Sequence, residues 1–216
     1  FRFINSKKII VEKPLISMLS LGENFNCFFK KIISKKKIAV SYPMYFFGKT
    51  VLKTFQFKPI KSIEYYYYTR GKKTYSRIAE DLLPHAISFI YSILGKKNIL
   101  NYKKILHIKN EKNSWEVIFY IAKIKIKILF KENCNLKESK LIFKLNRTKF
   151  VRKIKIVKKN AKNFIKSDKS NFVEIMNPMN QNIRCLVKLK TNSNFYKKNN
   201  DITKKIFFYK KIFLAK

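Results

Sequence analysis

Glycine is scarce in this chain, with four in 216 residues, at Gly22, Gly48, Gly71 and Gly95. No GxGxxG or Walker-type phosphate loop can be written from them, so no cofactor is expected. The FFGKT run at Phe46–Thr50 has the end of such a loop without its upstream glycine. Acids are scarce too, with three Asp and nine Glu scattered along the chain. Glu80 and Asp81 are adjacent and would diverge on a helix, which argues against a two-carboxylate acid–base site, and no carboxylate cluster is present to hold a nuclease's metal ions. The two histidines, His85 and His107, lie near neither a cysteine nor one another at metal-ligand spacing. Each is read as structural or as meeting phosphate. Cys27, Cys134 and Cys185 are far apart and odd in number, so they make neither a disulfide framework nor a metal knuckle. No catalytic, metal-binding or cofactor-binding residue is therefore expected, nor a small-molecule substrate, and the chain is not expected to be an enzyme. Uncharged stretches such as Ala39–Gly48 and Pro84–Gly95 fall short of the ~18 apolar residues that a spanning helix needs. The N-terminal stretch contains Glu12 and Glu23, lacks a small-residue cleavage site, and is not read as a targeting peptide.

Positive charge is what the chain has in excess. Fifty Lys and Arg against twelve acids give a formal net charge of +38. Self-repulsion on that scale opposes a compact monomer and calls for a polyanion. Yet 46% of residues are hydrophobic, including 20 Phe and 12 Tyr, which is enough to build a core. The preference for Lys (44) over Arg (6), and for Ile, Phe, Tyr and Asn, follows from AT-rich codons. Codon bias does not explain the low acid count, because Asp and Glu codons tolerate A and T.

The pattern along the chain predicts an α+β fold of small antiparallel sheets with one or two packed helices and a basic extended tail. Residues 1–108 read as an N-terminal α+β region. Short extended segments at Lys7–Lys13, Phe28–Ile33 and Lys36–Tyr42 are punctuated by Pro14, Pro43 and Pro59. A helix over 76–94 follows from Ile78, Leu82, Ala86, Phe89 or Ile90, and Ile93, with Gly95 as its stop and Pro84 as a kink or split. Residues 109–190 read as a basic antiparallel β-rich region. Within it, AKIKIKILF alternates so that Lys123, Lys125 and Lys127 share one face and Ile124, Ile126 and Ile128 the other. Residues 191–216, rich in Lys and Asn, read as a tail ordered by a partner.

Phosphate contact is expected where cations recur without acids. YYYYTRGKKTYSR offers Tyr66 and Tyr68 for stacking beside Arg70, Lys72, Lys73 and Arg77; the alternative is a strand and basic turn with alternate tyrosines in the core. The other candidate contacts are Lys35, Lys36, Lys37, Lys96, Lys97, Lys123, Lys125, Lys127, Arg147, Lys149, Arg152, Lys153, Lys155, Lys158, Lys159, Lys197 and Lys198. Both halves of the chain are basic, which suits a protein embedded in RNA on several sides.

In composition the whole chain resembles the divergent, organelle-encoded ribosomal proteins of AT-rich ciliate-type mitochondrial genomes. RGKKTYSRIAEDLL, Arg70–Leu83, is similar to the GKK-plus-helix segment of the seventh bacterial small-subunit ribosomal protein. The resemblance implies a structural constituent of the mitochondrial ribosome, in the matrix, with ribosomal RNA and neighbouring ribosomal proteins as partners. The alternative from the same composition is an accessory subunit of an inner-membrane respiratory complex.

Overall fold

The computed structural model describes residues 9–11, 38–57, 59–99, 102–157, 160–187 and 193–214. Strands β1 (Ile9–Val11) and β2 (Ile38–Val40) form a small parallel pair. Helix α1 (Pro43–Thr54) leads to β3 (Ser62–Thr69), then α2 (Ser76–Ile99). Six strands follow: β4 (Tyr102–Glu111), β5 (Ser114–Ile121), β6 (Ile124–Glu132), β7 (Lys140–Leu145), β8 (Thr148–Val157) and β9 (Asn160–Ser167). After β10 (Val173–Ile175) come α3 (Pro178–Val187) and α4 (Ser193–Leu214).

Strands β3 to β10 form one eight-stranded sheet in the order β10-β9-β8-β7-β3-β6-β5-β4. Its antiparallel runs β4-β5-β6 and β7-β8-β9-β10 are joined through β3, which runs parallel to β6 and antiparallel to β7. The expectation of small antiparallel sheets with one or two helices is thus corrected to one large mixed sheet with four helices among the described residues. Local alternation announces β6. The β3–β6 pairing joins segments some sixty residues apart, and a parallel pair requires a crossover that alternation does not encode.

One face of the sheet carries the core. Ile63 and Tyr65 of β3, Val117 and Phe119 of β5, Ile126 and Ile128 of β6 and Phe143 of β7 are buried against the helices. Phe47 of α1 and Phe89 of α2 meet Phe143 edge-on at 5.8 and 5.0 Å, and Phe143 stacks on Phe150 of β8 at 4.9 Å. Each such ring contributes about 1.5–3 kcal/mol on full burial.

Helix α1 follows the expected extended segment Lys36–Tyr42, in a stretch where only short extended segments were expected. Pro43 sits in its first turn, where the missing N–H costs nothing and the fixed φ suits a helix. Gly48 lets α1 approach α2 closely, because a Cβ there would fall well inside contact with Ser92 Oγ. Helix α2 begins at Ser76 as expected but runs through Pro84. The backbone leaves helical geometry at Gly95 (φ 75°) and resumes to Ile99.

The expected extended tail is instead helix α4 over Ser193–Leu214. It packs Ile202, Ile206, Tyr209 and Phe213 into the core, and Phe213 lies 4.9 Å from Phe119 and 6.1 Å from Trp115. Its apolar residues recur at helical spacing, and the surrounding Lys and Asn occupy the other faces. The second extended segment, Phe28–Ile33, lies outside the described residues.

The opposite face of the sheet carries no helix among the described residues, and several of the chain's few acids lie there. Glu64 pairs with Lys144 and Glu116 with Lys127, both at 2.9 Å, and Glu174 with Lys162 at 3.2 Å. No helix among the described residues is long and apolar enough to cross a membrane.

Candidate active site

Because β3 and β6 are parallel, their C-terminal ends emerge side by side, with Thr69 paired to Glu132. The carboxyl ends of parallel strands, where chain segments part to reach different elements, are where α/β sheets meet ligands. Here β3 passes into the loop 70–75 and then into α2. The loop is held from beneath: the backbone N–H of Lys73 donates to Glu132 Oε2 at 2.6 Å, and the Tyr75 N–H donates to the Lys112 carbonyl at 3.1 Å. Gly71 lies close over the Glu132 carboxylate, which a Cβ there would force to shift. Glu132 is itself buried.

From this anchored loop the Lys73 ammonium reaches Asp81 at 2.7 Å. Asp81 and His85 are one helical turn apart and share a face of α2. The His85 ring meets the Tyr67 ring edge-on, with centroids 5.8 Å apart. Tyr67 stands on the helix-covered side of β3, half-buried. Burial raises the pKa of its phenol, Arg152 opposes the rise, and Asp81 adds to it. The Lys73–Asp81 pair and the His85–Tyr67 contact thus lie together toward the carboxyl end of β3, and Arg152 acts on Tyr67.

Arg152 turns inward from β8. Its Nε and Nη2 donate to Asn163 Oδ1 at 3.0 and 2.5 Å, and its guanidinium lies 5.1 Å from the Phe47 ring centroid. Burial lowers its pKa, while Tyr67 and Tyr65 act to raise it. The arrangement supplies a proton donor and acceptor (His85), a hydroxyl held protonated (Tyr67) and an ion pair that fixes the local charge (Lys73–Asp81). Among the described residues, no three His, Cys, Asp or Glu side chains group as a metal site.

The residues named from sequence are spread over several surfaces. Tyr66 and Tyr68 face the open side of β3, where the Tyr66 hydroxyl donates to Glu64. Tyr65 is buried in the core. Arg70, Lys72 and Lys73 lie in the loop after β3, and Arg77 in the first turn of α2. Lys123 occupies the β5–β6 turn rather than a strand, while Lys125 and Lys127 lie on the open face of β6. Arg147 is in the β7–β8 turn, and Lys149, Lys153 and Lys155 line the open side of β8. Lys197 and Lys198 are on α4, in the helical layer, and Lys96 and Lys97 follow Gly95 in α2. Lys35, Lys36, Lys37, Lys158 and Lys159 lie outside the described residues. Sequence reasoning singled out Lys73 as a cation but missed its partner Asp81, and set His85 aside. The available signal was the Asp81-x-x-x-His85 spacing on the one helix that periodicity identifies.

No protein-family model matches the chain, and no curated protein matches it significantly. Solved structures do match in fold. A 3-ketoreductase from Actinomadura kijaniata, in complex with NADP, superposes with a TM-score of 0.59 at 7% identity over 93% of this chain and 68% of its own. The same enzyme with TDP-benzene and NADP, in an open conformation, gives 0.58 at 8% identity over 90% of this chain and 66% of its own. A dehydrogenase from Clostridium difficile gives 0.52 at 15% identity over 94% of this chain and 71% of its own. The chain spans about two thirds of the length of the structures it matches. Its fold is one shared with oxidoreductases.

This overturns the ribosomal resemblance, which rested on composition. It also overturns the functions drawn from composition, both the ribosomal constituent and the respiratory-complex accessory subunit. With them go ribosomal RNA and ribosomal proteins as partners, and the expectation of a chain that is not an enzyme. Codon bias and surface lysine are compatible with many folds; strand order is not.

Proposed function

We propose that this chain is the catalytic part of a nicotinamide-dependent oxidoreductase acting on a small carbonyl or alcohol substrate. His85 is the residue that gives or takes the proton at the substrate oxygen. The observation that carries the reading is the juxtaposition of Asp81, His85, Tyr67 and Lys73 at the carboxyl ends of β3 and β6. It is supported by a fold shared with a 3-ketoreductase that binds NADP and TDP-benzene.

Reducing a carbonyl adds hydride to carbon and a proton to oxygen. A bound nicotinamide would supply the hydride; the residues above would supply the proton side. His85 donates to the developing alkoxide, and Asp81, tied to Lys73, sets the charge one turn away. The described glycines offer no cradle for a dinucleotide's pyrophosphate. Gly48 is closed by Ser92 and Gly71 by Glu132, and no glycine-rich cradle is formed among them. No residue described here is therefore assigned to holding the cofactor.

The test is NADPH oxidation by the full-length protein across a panel of keto-sugar nucleotides and small keto-polyols. At least one substrate should turn over. His85→Asn should lower kcat by about 10²–10⁴-fold with thermal unfolding unchanged, and Asp81→Asn should lower it less. No turnover with any panel member, or an unimpaired His85→Asn, overturns the proposal.

A further inference from the structure

The helical layer contains a cavity of about 560 Å³ between α1, α3 and the first turns of α4. None of the Asp81–His85 residues lines it. Two chemistries meet in its walls. Tyr45, Phe46 and Phe195 provide flat apolar surface, with Phe46 and Phe195 stacked at 6.3 Å and 21°. Lys49, Lys53 and Lys198 provide three ammonium groups. Lys49 and Lys53 are one turn apart on α1 and so share a face, and the Lys198 ammonium lies 5.7 Å from the Tyr45 ring centroid.

The charge of this cluster is not compensated by its own walls: among the described residues, no carboxylate lines the cavity. Burial lowers the proton affinity of Lys49, and Lys198 and Lys53 lower it further, so the three charges act on one another. On the open sheet face some lysines are set against acids, as at Lys127–Glu116 and Lys144–Glu64. A folded protein that gathers three like charges beside stacked rings gains stability from an anion with a planar face. A volume of 560 Å³ falls within the range of small-molecule sites. Three lysines suit the charge of two or three phosphates, which lysine binds as a point charge. Carboxylates of an acidic peptide would meet the lysines but would leave the stacked rings without a planar partner.

We propose that this cavity binds a nucleoside di- or triphosphate at a site separate from the Asp81–His85 cluster. Its base lies along Phe46 and Phe195, and its phosphates lie among Lys49, Lys53 and Lys198.

The experiment is a fluorescence titration of the full chain with anthraniloyl-ADP at fixed ionic strength, with inorganic pyrophosphate as competitor. Binding should saturate at one site. The Lys49→Gln/Lys198→Gln double variant should weaken it by about tenfold or more, while Lys153→Gln/Lys155→Gln on the open sheet face leaves it unchanged. The ammonium groups of both pairs reach solvent, so neither variant should lose thermal stability. Phe195→Leu should weaken the nucleotide but not pyrophosphate, and Asp81→Asn should affect neither. Equal loss in both lysine variants would mean nonspecific attraction to a basic protein and overturns the site. Equal affinity for nucleotide and pyrophosphate, insensitive to Phe195, overturns the assignment of a nucleoside. Loss of binding in Asp81→Asn overturns the separation of the two sites.

Discussion

Replacing Asn163 by Ala should destabilise the protein by about 3 kcal/mol, because it leaves an inward-turned guanidinium without its acceptor. Asn163 is 1% exposed and receives two hydrogen bonds from Arg152, at 3.0 and 2.5 Å. Hydrogen bonds to a charged group contribute about 1.5–3 kcal/mol, and an uncompensated buried charge adds to the loss. The other neighbours offer less than the two bonds lost: the Phe47 face at 5.1 Å, the Met44 sulfur at 3.8 Å and the neutral phenols of Tyr65 and Tyr67 are weaker partners for a cation. For a chain of this length, each kcal/mol moves the melting temperature by about 2–4 °C, so Asn163→Ala should melt about 6–12 °C lower. The Arg152→Met/Asn163→Leu double variant removes the charge and its need together, and should recover most of the loss. Thermal and urea unfolding followed by circular dichroism would measure both. A loss below about 1 kcal/mol in Asn163→Ala, or a double variant worse than either single, would refute the reasoning.

Three further outcomes follow from packing and charge. Gly48→Ala should cost about 1–3 kcal/mol in urea unfolding, because its Cβ meets Ser92 and comes 3.2 Å from Phe89 Cδ2, and adding Ser92→Ala should restore part of it. Burial alone would raise the pKa of Glu64, but hydrogen bonds from Tyr66 and Lys144 outweigh it and hold the carboxyl below its ordinary 4.5. Its contribution to stability is therefore full above that value and is lost as pH falls through the lower folded value; Glu64→Gln should flatten that part of the acid unfolding profile. Trp115 is 1% exposed, stacked on Phe130 and 6.1 Å from Phe213. Phe213→Ala should open a cavity beside it, shift the fluorescence of this single tryptophan to the red and cost about 3–5 kcal/mol.

The legible parts of this fold were those governed by local periodicity. Helix α2 announced itself through Ile78, Leu82, Ala86 and Ile90, and the alternation of 124–128 placed Ile126 and Ile128 inside and Lys125 and Lys127 outside, as found. Helix α1 was hidden because its sequence, PMYFFGKTVLKT, is rich in aromatic and β-branched residues; it is helical because Met44, Tyr45, Phe47, Gly48 and Val51 share a face packed in the core. Helix α4 was hidden by Lys and Asn between its buried Ile202, Ile206, Tyr209 and Phe213. The candidate active site was the least legible part. It forms where a parallel pairing brings Thr69 beside Glu132, and Tyr67 meets His85 only once α2 lies across β3. Net charge misled because it reports on surfaces, and surfaces do not determine strand order.

The most direct test of the central claim is isotope transfer from nicotinamide-deuterated NADPH, read by mass spectrometry on the product of a substrate that turns over. The account predicts one deuterium on the reduced carbon with the wild-type protein, and the same product formed far more slowly with His85→Asn. Product without deuterium, or label transfer equally fast in His85→Asn, would contradict it.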